Sequence, residues 1–295
     1  MTKPYPQIMA INDLSGVGKC SLTVALPILS CMGNTVAALP TAVLSTHTGG
    51  LEGYTYRDLT ADMMDVARHW AGLSLHFDAI YSGWLGSSMQ EEIVSRIIDM
   101  FKEDQPFIFV DPVMGDHGKL YSTYTMDRVE GMRKLCQKAN LISPNVTEAY
   151  LLLGETYSHA ALQAQEAKQL CQRLAGLGAR YIVVTGLSTC EGNIGAAAWD
   201  ALAQSFTLHE TPKVPGVWHG TGDIFGSVLL GAVMKGKTLH EAAALATKYI
   251  YQCIDATYCR KADSRFGVDF EGLLPSLMEA LAYDGKMEGA SFAGR

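Results

Sequence analysis

Positive charge is scarce in this chain: 23 lysines and arginines stand against 30 aspartates and glutamates, a formal net charge of −7. That balance argues against a general nucleic-acid binder or a partner of anionic membranes, which need a broad basic surface. A nucleotide site, needing only local positive potential, stays open. Long apolar runs are missing too. No stretch of about 18 apolar residues occurs, so no transmembrane helix is expected. The opening Met1-Thr2-Lys3-Pro4-Tyr5-Pro6 lacks the apolar region of a signal peptide. The seven cysteines (Cys20, Cys31, Cys136, Cys171, Cys190, Cys253 and Cys259) are odd in number and contain no Cys-x-x-Cys pair. Metal and disulfide frameworks are therefore poorly supported, and a reducing cytoplasm is the economical location. No Pro/Gly/Ser-rich linker and no internal repeat divides the chain. Its 295 residues, 48% hydrophobic and 18% charged, have a globular composition near the upper size for one core. They are read as a single domain, 1–295.

What is present is an alternation of short β-rich runs with helical patterns. Gln7–Asn12, Thr35–Val43, Asp78–Gly83, Phe107–Asp111, Ala139–Ile142 and Tyr181–Thr185 predict strands, several nearly continuous in apolar residues, as in a parallel sheet buried on both faces. Helical periodicity marks Lys19–Cys31, Leu59–Leu73, Ser88–Lys102, Met126–Lys138, Thr147–Leu153 and Leu162–Leu177. Asn193–Asp200 and Gln204–His209 predict a strand pair, and further helices follow around Leu239–Ala256 and Phe270–Ala282. Strand and helix in alternation point to a doubly wound α/β domain. In such sheets ligands bind beyond the carboxyl ends of the strands. Asn12, Asp13, Thr46, Gly83, Asp111, Ser143 and Thr185 all fall at or just past such ends.

The most informative run is Val217–Ser227, where Gly220-Thr221-Gly222-Asp223 opens an apolar helix. Glycines at a helix start let backbone N–H groups approach an anion, and the first turn carries roughly half an elementary positive charge. A carboxylate in the same turn can act as a base beside that anion. The bland alternative is that Thr221 or Asp223 merely caps the helix. Asp111-Pro112-Val113-Met114-Gly115-Asp116 puts carboxylates past a buried strand, suited to Mg²⁺ or to a plain turn. Ser143-Pro144-Asn145-Val146-Thr147-Glu148 has the form of a capping box; Glu148 also suits an outer-sphere Mg²⁺ network with Asp111, and both readings can hold. Ser15–Ser21 fails as a P-loop, with Asp13 at the first glycine and Cys20 at the hydroxyl position; a small-residue turn admitting a ligand is expected instead. His47 is read first as a hydrogen-bonded structural residue, and Thr46 as the better substrate contact. The segment Asp116–Thr125 suits a nucleotide flap or an ordinary surface loop.

Together these motifs, in this order and spacing, resemble the ribokinase-like superfamily and, within it, the pyridoxal kinases, over Ile8 to about Tyr251. The resemblance implies a three-layer α/β/α fold with a central, mostly parallel sheet and no separate lid domain. It implies transfer of the γ-phosphoryl of ATP to the 5′-hydroxymethyl of a vitamin B6 vitamer, with Mg²⁺ and with room for a monovalent cation such as K⁺. It also implies a cytoplasmic homodimer with no nucleic-acid or membrane partner. Asp223 then matches the catalytic base, and Gly220, Thr221 and Gly222 the anion hole. Asp111, Asp116, Tyr121, Ser143, Glu148, Thr185 and Trp218 fall on the ATP side, with Asp111 and Glu148 toward the metal. Asp13, Ser15, Thr46, Trp84 and Asp223 fall on the substrate side, although many relatives carry Tyr where this chain has Trp84. One stretch departs. Pyridoxal kinases often have Gln-Ser-His where this chain has Asn12-Asp13-Leu14, and Asp13-Leu14-Ser15-Gly16 is closer to the hydroxymethylpyrimidine kinases of thiamine metabolism. That activity, a non-catalytic vitamin or nucleotide sensor on the same fold, and a P-loop NTPase are the alternatives.

Overall fold

The computed structural model describes residues 5–282 apart from 123 and 158–160. Strands β1 (Gln7–Val17), β2 (Thr35–Thr46), β4 (Ala79–Ser82), β5 (Phe107–Val110), β8 (Leu141–Ile142) and β9 (Tyr181–Leu187) lie parallel at the centre of one sheet. Short β3 (Tyr56–Asp58) pairs antiparallel with β2 at one edge, and β10 (Asn193–Asp200) and β11 (Ser205–Pro212) continue antiparallel at the other. Among the described residues this gives nine strands in the order β11-β10-β9-β8-β5-β4-β1-β2-β3. A separate hairpin, β6 (Gly115–Asp116) with β7 (Lys119–Leu120), stands beyond the end of β5.

Period-two alternation divides the strand side chains between two cores. Met9, Ile11, Ile80, Ile108, Val110, Ile142 and Val184 face α2 (Thr60–Gly72), α3 (Ser88–Met100), α4 (Met126–Cys136), α5 (Val146–Leu153) and α6 (Ala164–Ala175). Ile8, Tyr81, Phe109, Leu141 and Val183 face α1 (Leu22–Cys31), α7 (Thr221–Met234), α8 (Leu239–Cys259) and α9 (Leu274–Ala282). Each large aliphatic or aromatic side chain so buried contributes roughly 1.5–3 kcal/mol. The chain thus builds the expected three-layer α/β/α arrangement. No helix among the described residues is long and apolar enough to cross a membrane, and all seven cysteines are free thiols.

The expected elements recur, with boundaries that differ most near the site. β1 does not stop at Asn12. It runs on to Val17, with a register shift between Asn12 and Leu14 where Asp13 stands opposite two residues of β2, Thr41 and Ala42, so the bulge lies on β2. The ligand-admitting turn expected within Ser15–Ser21 is, up to Val17, strand paired with Leu44–Thr46. A period read from side chains alone misses the bulge, because it leaves two consecutive residues of β2, Thr41 and Ala42, buried. β3 and the β6–β7 hairpin are too short to carry a pattern.

Helix α7 lies close on the sheet. Tyr81 and Phe109 stack nearly parallel, 4.7 Å between ring centroids, and Gly226 rests against them: a Cβ there would sit 2.8 Å from the Tyr81 hydroxyl and 3.4 Å from the Phe109 ring. Gly226→Val should consequently lift α7 and cost about 1–3 kcal/mol of stability. A denaturant titration should place its unfolding midpoint below wild type with an unchanged slope; an unchanged midpoint would remove Gly226 as the seat of the helix.

Candidate active site

The carboxyl ends of β1, β4, β5, β8 and β9 converge on the first turn of α7. Gly220 is its N-cap, at φ 73°, and no side chain caps the turn. The left-handed φ asks for glycine, and a Cβ would in any case run into the Lys19 carbonyl oxygen. Neither Thr221 nor Asp223 caps the helix: the Thr221 hydroxyl donates to Trp218 O (3.3 Å), and Asp223 lies inside the first turn. The backbone N–H groups at this end are thus without side-chain acceptors. An anion placed there meets both those donors and the helix dipole.

Asp223 is partly buried, and its carboxylate accepts a hydrogen bond from Asn12 Nδ2 at 3.1 Å. Burial pushes its pKa up to about 6, with the Asp13 charge adding to the rise, while the Ser21 backbone N–H and Asn12 hold it down. A carboxyl poised there is a proton acceptor near neutral pH. Its main-chain carbonyl takes the Ser227 hydroxyl at 2.6 Å, fixing the turn.

Asp111, just past β5, and Glu148, in the first turn of α5, are both buried. Burial raises both carboxyls above their ordinary range; Glu148 and Asp223 push Asp111 further, and Asp116 does the same to Glu148. Glu148 holds the capping-box geometry with Asn145. Its Oε2 accepts from Asn145 N (2.9 Å) and its Oε1 from Met114 N (3.0 Å). One carboxylate thereby starts α5 and anchors the chain after Asp111. Mutually repelling buried carboxylates are the chemistry that a divalent cation relieves. Among the described residues no group of three or more His, Cys, Asp or Glu is placed to hold a metal. The residues fit an ion that keeps most of its own water and takes the rest of its shell from phosphate, as Mg²⁺ does. Glu148, with both oxygens already accepting backbone N–H bonds, would act through water.

Around this centre the other expected residues take distinct places. Ser143 is buried beside Asp111, its hydroxyl favouring the charged form of that carboxyl. Thr185 donates its N–H to Pro144 O (2.9 Å) at the adjacent strand end. Burial raises the pKa of Tyr121, just after β7, and the charges of Glu148, Asp116, Asp111 and Asp223 add to the rise. Asp116 is exposed in the hairpin, where it accepts from His117 N. The hairpin is pinned by Gly118 N to Thr147 Oγ1 (2.9 Å) and Asn145 Nδ2 to Gly115 O (2.8 Å). Downstream, Tyr124 Oη and Arg128 Nη2 both donate to Leu85 O (3.1 and 2.7 Å), with the guanidinium over the Tyr124 ring. Within the expected flap, Thr123 lies outside the described residues. Trp218 packs edge-on against Tyr258 and donates Nε1–H to Val214 O (3.3 Å).

On the other side, Trp84 is half-buried, and its indole edge and the Tyr56 hydroxyl crowd the same point at Gly86. Thr46 ends β2, its hydroxyl bonded to His47 O (3.1 Å). Asp13 and Ser15 face each other rather than open space: Asp13 accepts from Ser15 Oγ (2.9 Å) and Ser21 Oγ (2.5 Å), and Ser15 is fully buried. Asn12 and Ser21, which tie this segment to Asp223, carry no sequence signal beyond Asn12's place at a strand end. His47 is structural, as expected: Nδ1 accepts from Gly49 N, so Nε2 carries the proton and donates to Arg265 O. Lys19 pairs with Asp269 and Glu271, far from the role of a P-loop lysine.

Residues 29–265 match the family model described as phosphomethylpyrimidine kinase. The chain belongs to that family. It is 31% identical to a pyridoxine/pyridoxal/pyridoxamine kinase of Bordetella avium, covering 91% of this chain and 89% of that one. Among solved structures it resembles a Bacteroides thetaiotaomicron protein, provisionally described as a phosphomethylpyrimidine kinase, whose orthorhombic crystal form contains pyridoxal. That chain is 38% identical with a TM-score of 0.87, over 94% of this chain and 96% of that one. The pyridoxal kinase of Lactobacillus plantarum is 33% identical with a TM-score of 0.84, over 93% and 97% of the two chains. The ribokinase-like resemblance to pyridoxal kinases read from the motifs therefore stands.

Because Asp223 is held with a raised pKa, ionising it costs the fold stability. Its stabilising contribution is greatest below about pH 4, where both folded and unfolded forms are protonated, and is lost as pH rises through about 6. Asp223→Asn should melt above wild type at pH 7.5, and the gap should close as pH falls toward 4. A gap independent of pH would show that the carboxylate is not under this strain.

Proposed function

We propose that the protein is an ATP:pyridoxal 5′-phosphotransferase, a kinase that phosphorylates the 5′-hydroxymethyl of pyridoxal or a related B6 vitamer and so salvages the vitamin as pyridoxal 5′-phosphate. The observation that carries this reading is the pairing of Asp223 with the uncapped first turn of α7, a proton acceptor and a set of anion donors in one helical turn. The pyridoxal held by a 38% identical relative supports the choice of substrate. We take Asp111, Asp116, Tyr121, Ser143, Glu148, Thr185 and Trp218 as the nucleotide side, and Asp13, Ser15, Thr46 and Trp84 as the vitamer side. The enzyme works as a cytoplasmic homodimer.

Transfer is direct. The substrate O–H bond breaks with its proton passing to Asp223, a bond forms from that oxygen to the γ-phosphorus, and the bond from phosphorus to the bridging oxygen of ADP breaks in line. Backbone N–H groups of Gly220, Thr221 and Gly222 stabilise charge on the transferring group, and such donors are worth roughly 3 kcal/mol each. Asp111 would hold a Mg²⁺ ion, with Glu148 acting on it through water, and the ion would supply neutralisation of phosphate charge. Trp84 offers a flat wall for a heteroaromatic ring.

A second reading, phosphorylation of hydroxymethylpyrimidine, is favoured by the family description and by Asp13-Leu14-Ser15-Gly16. A competition assay with pyridoxal, pyridoxine, pyridoxamine and hydroxymethylpyrimidine separates them. We expect the highest kcat/KM for a B6 vitamer; preference for the pyrimidine would transfer the assignment to thiamine metabolism. Asp223→Asn should retain ATP binding and lose about 10²–10⁴-fold in kcat, and the wild-type rate should fall as pH drops through about 6, where Asp223 takes up its proton. Near-wild-type turnover in the variant would sink the mechanism. Asp111→Asn should raise the Mg²⁺ concentration needed for half-maximal rate several-fold, and a titration superimposing on wild type would remove Asp111 from the metal.

A further inference from the structure

Asn12 stands 2% exposed beside the register shift between β1 and β2, and all three hydrogen bonds of its side chain matter to the site. Its Oδ1 accepts two backbone N–H groups, from Trp84 (2.9 Å) and from Asp13 (3.0 Å). Two fixed donors on that side determine which way the amide faces, since its nitrogen could not accept them. Nδ2 is thereby committed to the opposite side, where it meets Asp223 Oδ1 at 3.1 Å. The amide has no freedom to swing. Gly83 packs so closely on it that a Cβ at 83 would overlap the Asn12 carboxamide.

We infer that Asn12 is a positioning residue for the phosphoryl-transfer base, a bracket that aims one oxygen of Asp223 while fixing the backbone of Trp84, so that base and substrate wall keep one spacing. The inference rests on the proposed reading of Asp223 as that base. Asn12 on Oδ1 and the Ser21 backbone N–H together fix the orientation in which the Asp223 carboxylate meets the substrate hydroxyl. Proton abstraction depends on such aim, because misplacement of reacting atoms by about 1 Å can cost about 100-fold in rate. The titratable groups surrounding Asp223 are Asp13 on β1, Cys20 before α1, Tyr81 on β4, Asp111 after β5 and Tyr121 on the flap. None of these donates to it in the structure. Asn12 is the side chain that does.

Asn12→Asp tests the bracket, because it keeps an acceptor for Trp84 and Asp13 and inverts only the bond to Asp223. Two carboxylates then abut. The two backbone donors keep the introduced carboxylate charged, so the proton that the pair shares blocks Asp223. At pH 7.5 we expect kcat to fall at least tenfold with the KM for ATP within twofold of wild type. The second measurement is a thermal cycle over wild type, Asn12→Asp, Asp223→Asn and the double variant. Asn12→Asp should lower the melting temperature by several degrees when Asp223 is intact, and by less than half as much in the Asp223→Asn background. If Asn12→Asp folds only when Asp223 is also replaced, that is the same result in stronger form. Additive melting shifts, failure to fold in both backgrounds, or a kcat within twofold of wild type would each overturn the inference. The thermal cycle needs no catalysis, so it can fail while Asp223 remains the base. Conversely, turnover by Asp223→Asn would remove the base and leave the contact intact.

Discussion

The approach of the Lys19 carbonyl to Gly220 governs the rest of the site. Only a residue without a Cβ lets α7 begin against that strand-to-helix corner, and α7 beginning there places its open N–H groups at the carboxyl ends of the parallel strands. Lys19 is itself held from behind. Its N–H donates to Phe266 O at 2.9 Å and its ammonium pairs with Asp269 and Glu271, so the segment after α8 sets the position of the corner. Two residues on, Ser21 takes φ 52° and ψ −132°, a backbone conformation rare outside glycine, with its hydroxyl on Asp13 and its N–H toward Asp223. Strain at that residue is offset by the close packing it permits between the start of α1 and Asp223.

The site therefore gathers negative charge against a positive helix end. Asp13, Asp111, Glu148 and Asp223 are brought together with no lysine or arginine side chain bonded to any of their carboxylates among the described contacts. Such an arrangement sets like charges against one another, and positive charge brought among them would relieve the repulsion. Burial and like charge raise these carboxyls, while backbone N–H groups set their direction. Stability is given up where the chemistry is done, and the two cores flanking the sheet offset it.

The repeating features were legible in the sequence. Alternation of apolar runs placed the central strands and the helices beside them, since burial on both faces leaves a continuous apolar run and a helix leaves a 3.6-residue period. Gly220–Asp223 and Ser143–Glu148 were legible because backbone geometry there demands particular residue types. The bulge opposite Asp13, at Thr41–Ala42 of β2, was not, because one extra residue in a strand changes which side chains face inward without changing composition. Asn12 and Ser21 escaped for a related reason: an amide or hydroxyl acquires its role from partners 211 residues away, as Asn12 does from Asp223. Asp13 and Ser15, read as ligand contacts, turn toward each other once β1 is seen to continue.

The Leu85 carbonyl joins the two sides of the cleft, and the join has a thermodynamic consequence. It receives the Tyr124 hydroxyl and the Arg128 guanidinium from the flap side, and it follows Trp84 directly in the chain. Arg128 is in turn held by a buried pair with Glu91, so the chain after the β6–β7 hairpin and the Trp84–Leu85 corner are tied to one another. Displacing either segment strains bonds that the other also needs. Linkage is reciprocal: whatever free energy restrains one of these segments is felt in equal measure by the other, through a single shared carbonyl.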